Sequence, residues 1–577
     1  MLKPVAITLL AFLIPGFRIG IAIGQEPCDG ITKALANPTA TIDLKSNGCQ
    51  LQTIPENMGL LKNLKSADFS SNSLKFLPES LGDIVQLQKL DVSGNILVML
   101  PAKIGLLVNL RELDISQNTL SKLPRPFWEL KSLQSLNLSY NQLTEIYTGL
   151  GNLTKLKHLN LQGNQITIIP MTTNQLVELE ILNLSENKFT KLPDEIGGLV
   201  SLKDLNLEEN QLITLPETIG GLKKLQALDA GNNQITTLPR AIGSLPALQF
   251  LVLDENNLIT FPDEIGKLNA LQSLSAEGNQ LESLPETFGD LSSLSTLDLS
   301  DNKISKLPQS IGKLSALTGF DCFTNHLTEL PATIGTMTSL VKLDASENGI
   351  TSLPETVANL KQLRELNLNN NQLKTLPTGF GSMAGLEILA LARNNIKTLP
   401  ESFGQLSKLV DVDITENGMT ELPSTIGGLK ALNNLVLSEN QLKILPESIC
   451  ELGNLTSLTL DGNLLASLPL NFGNLSKLSR LNLEGNFLAA LPEGFGNLES
   501  LTYLTLDGNQ LKKLPVNFGE LSTLMYLSLE GNLLKKLPPG FEKLTKLKFL
   551  YLTGNLFSPK EQERIKSIVP EGCQVEF

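Results

Sequence analysis

The chain has 577 residues, 41% of them apolar, 5% aromatic and 18% charged: too long for one ordinary core, and low in charge and aromatics for a multidomain enzyme. Fifty-nine acidic residues against 46 basic ones leave a net charge of −13, which excludes the basic surface that nucleic-acid phosphates require. Two histidines, His158 and His326, and five cysteines offer little for a metal cluster or a disulfide-dense scaffold, so no metal, cofactor or catalytic residue is expected.

Residues 1–24 have a charged start at Lys3, an apolar run from Val5 to Phe17, and small Ala22 and Gly24 ahead of Gln25. This reads as an export signal cleaved after Gly24, with an uncleaved N-terminal anchor as the alternative because Pro15, Gly16 and Arg18 interrupt the run. No later stretch is long and apolar enough to span a bilayer, so no membrane insertion is expected once the signal is gone. Residues 25–40 are the candidate N-terminal cap. Cys28 and Cys49 lie about one repeat apart and suit a disulfide in an exported cap; the other reading has Cys49 simply filling a repeat position.

From residue 41 to residue 557 the chain repeats. At a step of 23, asparagine falls in register 22 times without a slip, from Asn72, Asn95 and Asn118 to Asn532 and Asn555, and Cys49 stands one step upstream, for about 23 turns. Around each asparagine apolar positions recur, as in Leu202, Leu205, Leu207, Asn210, Leu212, Leu215-Pro216, Ile219-Gly220 and Leu222. This pattern is that of the leucine-rich repeat. Its Leu-Pro-x-x-Ile-Gly-x-Leu form resembles exported bacterial leucine-rich repeat proteins, the Ras-pathway scaffold proteins of animals and the intracellular Ras-group-related repeat proteins of plants.

The resemblance implies an α/β solenoid: a leucine-rich repeat horseshoe with a parallel β-sheet on the concave face and short helical or extended segments on the convex face. It also implies a non-enzymatic scaffold or recognition surface for another protein. The export-like start favours an exported member, periplasmic, secreted or on the cell surface. An intracellular signal-transduction scaffold and a surface adhesion protein are the alternatives.

The residues explain the architecture. Alternating leucines before each asparagine point inward from a strand, and the residues between them face out. One repeat cannot bury enough apolar surface to fold alone, so neighbouring turns must cover each other. Asparagine donates and accepts at once and can satisfy backbone leaving the sheet; Leu-Pro directs the return path, and the Ile-Gly pair is expected to let the chain bend into the next turn. Terminal turns need covers. Residues 558–577 read as the C-terminal one, a short polar helix over 559–566 and then a strand-like end at 575–577.

Function is expected on the outward positions six, four, two and one before each asparagine. Across the 22 turns these positions hold 26 Asp or Glu and four basic residues, Lys89, Lys342, Arg393 and Arg480, a net of −22. Asp68, Asp91 and Asp114 form one ladder, Asp298, Asp321 and Asp344 another, and Asp461, Glu484, Asp507 and Glu530 a third. Lysines such as Lys122, Lys306 and Lys512 rim one flank. A solvated face, a basic protein ligand and a calcium site are the readings of these ladders, the last disfavoured because parallel ladders do not converge on a point. Tyr503, Tyr526 and Phe549 share one column with Tyr551 beside them, while Phe250 and Phe323 stand nearer the middle. The terminal group reads either as a contact surface flanked by Asp507 and Glu530 or as cross-strand packing. A protein ligand with a basic surface and a monomeric chain are thus the expected partner and state; His158 and Ser135 on the turn before it could pair as base and nucleophile, but no oxyanion donor or pocket is written nearby, and Cys322 and Cys450 read as inert core residues.

Overall fold

A three-residue strand forms at each turn where the sequence alternates, six to four residues before the registered asparagine, with its middle residue buried. The computed structural model describes residues 28–577; the export-like start and the first three residues of the N-terminal cap lie outside them. The chain divides into two compact units that meet in sequence at Gln165 and Ile166.

The first unit opens with a short helix, Gly30–Ala36, and a disulfide joins Cys28 to Cys49 with their Cα atoms 5.4 Å apart. Six strands follow, from β1 (Asp43–Lys45) to β6 (His158–Asn160), each parallel to the next and offset by one repeat, as in Lys89 opposite Glu112. The second unit holds eighteen strands, from β7 (Ile181–Asn183) to β24 (Gln574–Glu576), all in the same register except β24, which pairs with its neighbour outside the 23-residue step, Phe549 opposite Gln574. The fold class is therefore the expected leucine-rich repeat solenoid, with mostly 3₁₀ turns on the return path.

The return paths run through a proline into such a turn, except where Tyr147 takes the same extended place before Thr148–Asn152. Pro216, at φ −71° and ψ 151°, precedes the turn Glu217–Gly221, which buries Ile219 completely. The glycine after the isoleucine is not there to bend the chain. A Cβ on Gly266 would stand 2.2 Å from the carbonyl oxygen of Thr287, so glycine is needed there because the next turn approaches too closely for a side chain, although Trp128, Ala358 and Cys450 fill the same position in other turns.

The asparagines supply the polar half of the core. Asn210 Nδ2 donates to the carbonyls of Leu184 (3.0 Å), Leu207 (3.0 Å) and Glu208 (3.2 Å), and its Oδ1 accepts the N–H of Phe189 at 3.0 Å. One amide thus ties two consecutive turns and satisfies backbone groups that the short strands leave behind. The residue before each of the 22 asparagines is left-handed, with φ between +49° and +74°. Fourteen of these positions carry a side chain nevertheless, so the twist at the strand end is imposed by the stack, not by glycine alone.

The C-terminal cover is a helix, Pro559–Ile568, longer by two residues than its sequence suggests, followed by β24 paired to β23 (Phe549–Tyr551). Ser558 caps the helix by accepting the Glu561 N–H. Glu561 and Arg564 pair at 2.6 Å and reach back to the N–H and carbonyl of Leu537, which anchors the helix to the last repeat.

Candidate functional site

The outward columns of the sheet are the surfaces that the repeat leaves free, and most of their aspartates have structural work. Asp68, Asp91 and Asp114 each accept from the N–H and the hydroxyl of the serine two residues on, at 2.6–2.9 Å. Asp298 and Asp344 do the same with Ser300 and Ser346. These carboxylates close the strand ends, so the first two ladders owe part of their regularity to local capping.

The four basic residues of these columns are all engaged within the sheet. Lys89 pairs with Glu112 at 2.9 Å, Lys342 with Asp321 at 2.9 Å and Arg393 with Glu416 at 3.1 Å, while Arg480 lies 5.3 Å from the centre of the Tyr503 ring. Among the described residues no ion pair reaches Asp461, Glu484, Asp507 or Glu530.

Those four stand two residues before successive asparagines. One oxygen of Asp461 accepts from Ser438 Oγ (2.8 Å) and Asn482 Nδ2 (3.0 Å), and one oxygen of Asp507 accepts the Glu530 N–H at 2.7 Å. Burial first, and then the charges of Asp507, Asp461 and Glu530, push the Glu484 carboxyl above its ordinary range; Asp507 is raised chiefly by burial, against the hydrogen bonds from Ser528 and Glu530. Mutual repulsion without an internal counter-charge defines this stretch electrostatically.

Beside the ladder the aromatic residues do meet. Tyr503 opens β21 (Tyr503–Thr505), Tyr526 opens β22 (Tyr526–Ser528), and Phe549 and Tyr551 are the ends of β23. Tyr503 and Tyr526 stack at 4.3 Å, and Tyr526 lies 6.2 Å from Phe549 and 5.5 Å from Tyr551. Burial, with Tyr503 close by, pushes the Tyr526 phenol up to about 12. Cross-strand packing is therefore present, yet Phe549 keeps 40% of its surface exposed.

Two further columns complete the last five turns, and neither was expected. The left-handed position is glycine in every one: Gly462, Gly485, Gly508, Gly531 and Gly554. On its other side, the residue after each asparagine is apolar in four of the five turns: Leu464, Phe487, Leu533 and Leu556, exposed by 37–54%. Upstream that position is mostly Gln, Asn, Lys or Gly, so the change of residue type at a fixed register position was the available signal.

Elsewhere the chemistry is sparse. His158 lies in β6 of the first unit, and Cys322 and Cys450 are buried, their thiols pushed up by burial, Cys450 to about 11. A shallow cleft of about 400 Å³ between 3₁₀ turns is lined by Glu286, Gln309, Ser310, Lys313, Thr333 and Thr336, and neither histidine borders it. Among the described residues no three His, Cys, Asp or Glu gather in a metal-binding group, and no helix is long and apolar enough to cross a membrane.

Three leucine-rich repeat family profiles match the chain: a leucine-rich repeat region at 42–165, 194–281 and 276–355, a leucine rich repeat at 154–212, 412–465 and 469–511, and a two-copy leucine-rich repeat at 338–380. The class that fold and matches define is the leucine-rich repeat solenoid. Among solved structures, the chain is similar to the plant peptide hormone receptor RGFR1 in complex with RGF2, at 29% identity and a TM-score of 0.69, over 91% of this chain and 88% of that one. It is similar to the Arabidopsis receptor kinase HAESA in complex with the peptide hormone IDA and the co-receptor SERK1, at 27% identity and 0.57, over 89% and 90%. YopM from Yersinia enterocolitica, at 24% identity and 0.53 over 92% and 94%, shares the fold. No curated protein matches.

Proposed function

We propose that the chain is a non-enzymatic recognition module that holds a protein ligand with a basic surface on the acidic sheet face of its last turns. The observation that carries this reading is the ladder Asp461, Glu484, Asp507 and Glu530: four neighbouring carboxylates without an internal cation, beside the partly exposed rings of Tyr503, Tyr526, Phe549 and Tyr551. Aromatic anchors next to unpaired charge are what a protein contact uses, the rings for affinity and the charge for steering. Similarity to RGFR1 and HAESA, both solved with peptide hormones bound, supports a polypeptide ligand.

We further take the module to act outside the cytoplasm, as a monomer. The Cys28–Cys49 disulfide is chemistry of an oxidising compartment. The site is tested by reversing all four charges to lysine and repeating cross-linked capture from the native source, with mass spectrometry to identify what is bound. Loss of a basic partner while the fold is kept supports the assignment, and undiminished capture removes this face. Determination of the mature N-terminus and light scattering test export and monomeric state.

A further inference from the structure

The unexplained feature of the last five turns is an exposed apolar edge. Leu464, Phe487, Leu533 and Leu556 follow their asparagines on the flank, where upstream turns carry mostly polar residues. The chain order sets the columns side by side as acid, glycine, buried asparagine and apolar residue in three of the five turns; Gln510 takes the apolar place in the Asn509 turn, and Thr553 the acidic place before the half-buried Asn555. The glycines between ladder and edge form a bare floor. A Cβ on Gly485, Gly508 or Gly531 would find as its nearest neighbour only the preceding glycine's backbone, at 3.5–3.6 Å. In the middle turns the same position projects Glu347, Asn370, Arg393, Glu416 and Glu439.

We propose that this strip docks one extended polypeptide segment of a partner, its backbone along the glycine floor, basic side chains toward the acid ladder and apolar side chains toward the Leu464–Leu556 edge. This rests on the acidic-face reading above and specifies the form of its ligand. The charge decides the occupant, since an apolar edge alone would accept any hydrophobic surface, whereas the unpaired ladder beside it rejects acidic ones. Dimensions agree with a single strand. The ladder crosses three strand spacings, about 14 Å, and an extended chain places same-side residues about 6.7 Å apart, so about three basic side chains face the four carboxylates. A side chain on the floor would hold such a backbone away, and a folded domain would have no use for the floor being bare.

The test uses the full chain and fluorescence anisotropy with labelled peptides of about nine residues, alternating Lys with Leu, Lys with Ser, or Glu with Leu, and cytochrome c as a folded basic protein. The Lys/Leu peptide is expected to bind best and the Glu/Leu peptide not at all. The triple variant Gly485→Asn, Gly508→Asn, Gly531→Asn is expected to keep the fold, because Asn232 and Asn370 occupy this position at φ +52° and +54°. It should weaken the Lys/Leu peptide at least about tenfold and leave cytochrome c unchanged. Leu464→Ser, Phe487→Ser, Leu533→Ser alters only exposed side chains and should erase the preference for Lys/Leu over Lys/Ser. Equal affinity for those two peptides, or unchanged peptide affinity in either folded variant, overturns the strip. If charge reversal of the ladder still abolishes binding, the acidic-face reading survives that loss; if charge reversal changes nothing, both fall.

Discussion

Tyr503 and Tyr526, one repeat apart, stack with ring centres 4.3 Å apart and planes within 12°. The stack is wedged between the Arg480 guanidinium on one side and Phe549 with Tyr551 on the other. Tyr526→Ala should therefore cost about 1–3 kcal/mol in chemical denaturation, through lost ring contact and burial. Tyr526→Phe should cost less than about 1 kcal/mol and keep any ligand affinity that depends on the rings alone. The Tyr526 phenol, held up to about 12, should ionise late in an ultraviolet titration of the native protein, and the late step should vanish in Tyr526→Phe.

Asn325 Nδ2 donates to the carbonyls of Leu299, Cys322 and Phe323, and its Oδ1 accepts the N–H of Ile304. Asn325→Ala leaves those buried backbone groups without partners in two turns at once, so a loss of about 3 kcal/mol or more is expected. Because neighbouring repeats support one another, hydrogen exchange should rise first in the turns around residues 299–325. Uniform protection in the variant would mean that the asparagine ladder is less important than its geometry implies.

Burial pushes the carboxyls of Asp204 and Asp229 up to about 6. Unfolded aspartates titrate near 4, so between about pH 4 and pH 6 the native state holds more protons than the unfolded state, and stability falls as pH rises through that window. Thermal melts should show the protein more stable at pH 5 than at pH 7. Asp204→Asn should raise stability at pH 7 by about 1–2 kcal/mol and flatten the pH dependence, since the amide needs no ionisation in a desolvated site. A Tm that climbs from pH 5 to pH 7 would contradict this.

The Cys28–Cys49 disulfide closes a loop of 21 residues at the N-terminal end. Reduction, or Cys28→Ser with Cys49→Ser, should destabilise that end by about 3 kcal/mol, visible as early exchange over 30–60. In the oxidised native protein Cys322 and Cys450 should resist thiol reagents until unfolding, because both are buried and burial keeps both protonated.

At the other end, Glu561→Ala removes the partner of Arg564 and the acceptor for the Leu537 N–H. The helix Pro559–Ile568 should then detach, and protease should cut within it while the repeats upstream stay intact.

The 23-residue register of asparagine and leucine determined the fold class, the strand positions, the buried faces and the place of the acid and aromatic columns, because every turn must present the same residues to its neighbours. It also held, unread, the glycine and apolar columns of the last turns; a shift in residue type at one register position is weak beside 22 recurring asparagines. Only the tertiary structure decided what the columns do. Asp68 or Asp91 turns inward onto a serine and Lys342 settles on Asp321, while Asp461 to Glu530 find no cation among the described residues, and periodicity cannot distinguish these fates because it is blind to side-chain geometry between turns. The same holds for the Ile-Gly pair. Its glycine reads as a bend in one dimension, and in three, as at Gly266, it is a point where two backbones come too close for a Cβ.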